Sequence, residues 1–135
     1  MNSLKKEFLK FLESLNEEDF NVKINNISLR DKIIYLVGLE EEYAGVLIDF
    51  WKTNEKPWFL CAKNYDSFNK TSIQKYKSYS SQKLIERLQF LIDIFENEVL
   101  DIGVEKLKER KGSEWIFDDS RYSKCLVEIK KVLAK

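Results

Sequence analysis

The chain contains no histidine. That removes Ser-His-Asp and Cys-His catalysis, and with them every metal site that uses imidazole. Cysteine is nearly as scarce. Cys61 and Cys125 form no CxxC pair, so a zinc knuckle is excluded. Both lie in apolar patterns, where a free thiol acts as a small hydrophobe. Reduced thiols point to a cytoplasmic protein. The four glycines, Gly38, Gly45, Gly103 and Gly112, are scattered, so there is no glycine loop to cradle a phosphate. Pro57 is the single proline. Net charge is also missing: 23 bases cancel 23 acids. General affinity for nucleic acid therefore lacks its main source, an excess of Lys and Arg. Apolar runs are too short to span a bilayer. Glu7, Lys10 and Glu13 interrupt any signal-peptide core near the N-terminus, which reads as an amphipathic helix. No cofactor, metal or membrane partner is expected.

What is present suits one domain spanning residues 1–135. A chain of this length buries roughly two thirds of its unfolded surface and needs no disulfide or metal staple. Aromatic residues make up 13% of the chain, and its large charge content is balanced, unlike a disordered chain. Lys far outnumbers Arg, and Asn and Ile are abundant. That coding bias suggests an AT-rich bacterial or phage genome.

Three helices are expected from spacing. Leu4, Phe8, Phe11, Leu12 and Leu15 make one apolar stripe, with Asn2 or Ser3 as its cap. Leu84, Leu88, Leu91, Phe95 and Val99 repeat at three- and four-residue steps after Ser80 or Ser81, and Gly103 kinks or ends that helix. Tyr122, Leu126, Ile129 and Leu133 share a last face, and Lys130, Lys131 and Lys135 suit the negative end of its dipole.

Between the first two helices the pattern reads as strands. "KIIYLVGL" (residues 32–39), "GVLIDFW" (45–51) and "WFLCAK" (58–63) are rich in β-branched and aromatic residues. Pro57 stands at a strand entrance. A helix from Leu29 towards Glu42 competes, because Ser28 with Asp31 fits a capping box and Leu29, Ile33, Leu36 and Val37 fit a helical stripe. Strands are favoured. Asn64 to Ser81 reads as a long polar loop with one short helix, and "SEWIF" as a short strand or anchor loop. The expected fold is α+β: an antiparallel sheet of three to four strands packed against an N-terminal, a long central and a C-terminal helix. Its expected core includes Phe8, Leu12, Ile34, Leu36, Ile48, Phe50, Leu60, Leu88, Leu91, Phe95, Leu126 and Ile129.

Asp49 on one strand, a short turn, then Cys61-Ala62-Lys63 on the next resembles the hairpin of the PD-(D/E)xK nucleases. In that family two strand acids bind Mg²⁺ and the lysine helps activate water. The resemblance covers about twenty residues. It departs from the family at Cys61, which stands where the second acid belongs, and no proline precedes Asp49. A thiol is a poor ligand for a hard cation. Two strands joined by so short a loop must also be antiparallel.

Charge is spread unevenly. Lys63 to Lys83 is rich in lysine, with Asp66 as its one acid and with Tyr65, Phe68, Tyr76 and Tyr79 interleaved. Such a segment could stack on single-stranded bases or form a protein-binding rim. Glu40, Glu41 and Glu42 form an acidic patch suited to a basic partner. Trp51, Trp58 or Trp115, if exposed, becomes the anchor. The expectation is a non-catalytic, protein-binding domain, such as an inhibitor of the toxin-immunity type. It would bind through Glu40, Glu41, Glu42, Trp51, Trp58, Tyr76 and Tyr79. The alternative is a nucleic-acid-handling protein, through Asp49 and Lys63 or through the segment 63–83.

Overall fold

The computed structural model describes residues 3–134. Asn2, one of the two expected caps, and Lys135, the last of the expected terminal lysines, lie outside them. Seven α-helices are described: α1 (Ser3–Glu13), α2 (Leu29–Thr53), α3 (Asp66–Tyr76), α4 (Ser81–Ile102), α5 (Val104–Glu109), α6 (Glu114–Phe117) and α7 (Ser120–Leu133). Two short 3-10 helices, Glu17–Asn21 and Trp58–Leu60, join them. The only sheet among the described residues is an antiparallel pair, β1 (Lys23–Ile24) and β2 (Ile27–Ser28). Asn25 and Asn26 turn that hairpin at positive φ, 54° and 69°, the backbone a tight two-residue turn demands and asparagine tolerates.

The expected α+β fold is therefore corrected to a mainly helical one. Residues 32–39 and 45–51 are not strands. They belong to one 25-residue helix, α2. Ser28 Oγ accepts from the Asp31 N–H at 3.1 Å and caps it. Asn54, at φ 56°, ends it in the left-handed conformation. The third expected strand is the 3-10 helix Trp58–Leu60 followed by loop. The expected polar loop holds the 11-residue helix α3, and "SEWIF" supplies α6. The physical reason lies in burial. Ile33, Ile34 and every residue from Leu36 to Glu40 are buried, so the middle of α2 is enclosed on all sides. A helix surrounded by protein shows no polar face, and its continuous apolar run mimics a buried strand.

Residue pairs along α2 fix the direction of its neighbours. Lys32 meets Glu128 at 3.7 Å and Glu40 meets Tyr122 at 2.6 Å, so α7 runs antiparallel to it. Arg30 donates to the Tyr76 carbonyl at 3.3 Å while Gly38 lies against Ser72, so α3 also runs antiparallel. Helix α4 runs parallel. The first halves of α2 and α4 share one core, with Ile33, Ile34, Leu84 and Leu88 joined by Phe8, Leu12 and Ile129. Their second halves share another, with Leu47, Phe50, Phe95 and Val99 joined by Phe59, Leu107, Trp115 and Ile116. The stripes of α1, α4 and α7 face inward as their spacing requires. Ile48 and Leu60, expected in the core, are instead exposed. Alternation would have put Ile48 and Phe50 on one face; a helix turns Leu47 and Phe50 inward and Ile48 out.

Candidate functional site

The described surface is built around the segment that follows α2. Pro57 is buried and opens the 3-10 helix Trp58–Leu60. Three residues per turn send successive side chains about a third of a turn apart. Phe59 enters the second core, whereas Trp58 and Leu60 stay 38% and 42% exposed. The Trp58 indole is fixed. Its Nε1 donates to Glu42 Oε1 at 3.1 Å. Its ring sits 5.0 Å from Phe68 and 5.8 Å from both Phe59 and Tyr65. Tyr65 is tied in turn, donating to the Phe59 carbonyl at 2.8 Å and lying under the Arg121 guanidinium at 5.0 Å. Beside Trp58 is a recess of about 200 Å³ lined by Val46, Asp49, Glu55, Lys56 and Pro57. A second recess, of about 320 Å³, lies between Leu60, Phe50, Asn54, Lys56, Lys111 and Gly112.

The structure scatters the other expected site residues. The glutamate triplet does not form one acidic patch, because a helix points successive residues in different directions. Glu40 is 1% exposed. Its Oε1 accepts from Lys5 Nζ at 3.1 Å and from the Tyr122 hydroxyl at 2.6 Å. Glu41 accepts from Lys75 at 2.7 Å and from the Tyr76 hydroxyl, with Arg87 at 3.8 Å. Glu42 holds Trp58. All three carboxylates are thus engaged within the chain. Tyr76 is buried; Tyr79 is exposed and packs edge-on against it at 4.9 Å. Trp51 is half-buried under the Arg110 guanidinium, 4.8 Å from its ring.

Asp49 lies on α2 and Lys63 in the loop beyond the 3-10 helix, both exposed. The hairpin that the nuclease resemblance requires is absent, since its first strand is helix. In the segment 63–83, Tyr65, Phe68 and Tyr76 are occupied by contacts within the chain, as is Lys75. No cluster of three or more His, Cys, Asp or Glu side chains suited to a metal occurs among the described residues. No described helix is long and apolar enough to cross a membrane.

Three residues escaped the sequence reading: Lys5, Lys108 and Tyr122 in a polar role. Lys5 is a buried lysine on α1 whose ammonium lies 5.4 Å from the Phe95 ring centre and 5.3 Å from that of Tyr122. Burial, then the negative charge of Glu40, raises the Tyr122 hydroxyl well above the usual tyrosine range. Lys5 also lines a cleft of about 320 Å³ at the C-terminal end of α4, with Lys108 on its wall. The one available signal was positional. Lys5 falls one residue after Leu4 and three before Phe8, so it borders the apolar stripe.

No protein-family model matches the chain, and neither a curated protein nor a solved structure matches it significantly. The reading of function below therefore stands on the geometry of these surfaces.

Proposed function

We propose that this chain is a non-catalytic binding protein that docks another protein on the surface around Trp58. One observation carries the reading: an indole held by a hydrogen bond and three rings, yet left more than a third exposed beside a recess. A fixed aromatic loses little freedom on binding, and tryptophan is prominent among residues that dominate interfaces. Leu60, and Ile48 at 36% exposure on α2, add apolar area. Two carboxylates, Asp49 and Glu55, and one cation, Lys56, line the recess, so a partner presenting a Lys or Arg beside an apolar side chain fits it. That partner's cation would also meet the Trp58 ring. A small inhibitor of the toxin-immunity type would act in this way. The proposed setting is the cytoplasm, where Cys61 and Cys125 stay reduced.

The test is affinity capture from the native cell, followed by mass spectrometry, with wild-type and Trp58→Ala chains. A specific protein should be captured by the wild type. Its affinity should fall about thirtyfold in the variant, the effect of losing about 2 kcal/mol at a hot spot. Capture of nothing, or equal binding by the variant, would remove the proposal.

A further inference from the structure

We propose that a second copy of this chain docks on the Trp58 surface, so that the free protein forms a twofold-symmetric dimer. The inference rests on the reading of that surface as a docking site and names its occupant. The recess beside Trp58 carries Asp49 and Glu55 and calls for a cation beside an apolar side chain. The chain presents that combination itself. In the second recess, exposed Leu60 stands with Lys56 and Lys111, and among the described residues no carboxylate lines it. Lys56 lines both recesses, so they adjoin. One continuous surface thus holds both halves of a contact: acids beside an indole, and bases beside a leucine.

A twofold axis exchanges the two halves, and such an interface must be self-complementary. Leu60 and Lys111 of one copy then meet the indole and the acids of the other, and the reverse contact forms at the same time. The charges are available for this. Among the described residues, the side chains of Asp49, Glu55, Lys56 and Lys111 are exposed and make no hydrogen bond or ion pair within the chain. Glu42, by contrast, is already spent on the indole. Exposed ion pairs contribute little each, so Trp58 and Leu60 supply most of the affinity by leaving water. The charges supply the register. Copies slid out of the twofold arrangement would set acid against acid and base against base.

The experiment is sedimentation equilibrium of the full chain from about 1 μM to about 1 mM, where a reversible monomer–dimer equilibrium should appear. Asp49→Lys and Lys111→Glu, both at exposed positions, should each weaken it about tenfold, since each change acts at two symmetry-related contacts. An equimolar mixture of the two variants should recover wild-type association, because opposite charges then meet again at both contacts. Adding Trp58→Ala to both chains should abolish that recovery, which separates docking from general attraction between oppositely charged proteins. A wild-type chain that stays monomeric, undiminished association of either variant, no gain on mixing, or a gain that survives Trp58→Ala would overturn the proposal. A wild-type monomer that still captures another protein through Trp58 would overturn the dimer alone. Trp58→Ala without effect in either assay would overturn both readings.

Discussion

Replacing Glu40 by alanine removes the one acceptor that Lys5 and Tyr122 share. Removing one partner of a buried ion pair costs about 3–5 kcal/mol. Urea unfolding of Glu40→Ala should show a loss of that order, and a Lys5→Met, Glu40→Leu chain should regain most of it. The same residues make the fold sensitive to alkali. The Tyr122 hydroxyl titrates well above its usual range because of burial and Glu40. Burial, followed by its bond to Glu41, raises Tyr76 as well. Below pH about 10 both states keep these protons, and the stability is fully present. Above it the unfolded chain loses them first, so stability falls by about 1.4 kcal/mol per pH unit for each tyrosine until the folded value is reached. Unfolding free energies between pH 9 and 11 should show this decline, and Tyr122→Phe should flatten it; an unchanged slope would contradict the assignment. The cysteines separate in the same way. Burial pushes the Cys125 thiol up to about 11, while Cys61 is exposed. At pH 8 a thiol reagent should label Cys61 quickly and Cys125 only after denaturation.

At the scale of elements, α2 organises the molecule, and its contact with α3 depends on Gly38. A Cβ at that position would lie 2.4 Å from Ser72 Oγ and 3.2 Å from Ser72 Cβ. Ser72 cannot easily give way, because its hydroxyl is bonded to the Phe68 carbonyl at 3.1 Å. Gly38→Ala should therefore destabilise by about 1–3 kcal/mol despite the better helix propensity of alanine. Adding Ser72→Gly should reverse most of the loss, and this non-additivity in thermal unfolding identifies the contact. The start of α2 was legible in Ser28 with Asp31, although strands were favoured there; its stop at Asn54 was not, since the competing helix was drawn only towards Glu42. Its body was not legible, because Ile33 to Glu40 carry no polar face. The helices α1, α4 and α7 were read correctly because each keeps one side in water, so its apolar positions repeat with the helical period. The surface proposed for binding followed suit. Trp58 was named as an anchor conditional on exposure, yet the glutamates beside it were misplaced by the strand reading.

The described residues form two hydrophobic cores, but α2 and α4 run through both. Neither core survives the loss of the other's helices, so unfolding should be a single transition. Trp115 lies in the second core, Trp51 packs on it and Trp58 packs edge-on against Phe59. Tryptophan fluorescence thus reports the second core, while circular dichroism reports all the helices. The two urea curves should coincide; separate midpoints would show that the cores are independent. What the residues determined unaided was chemistry and local pattern. The lack of histidine closed off imidazole catalysis, and amphipathic spacing fixed three helices. Tertiary structure alone decided that α2 is enclosed by its neighbours, that Glu40, Glu41 and Glu42 turn to three different partners, and that Lys5 borders a cleft. These depend on which surfaces meet. Periodicity along one segment records whether a side faces water, and it falls silent where every side faces protein.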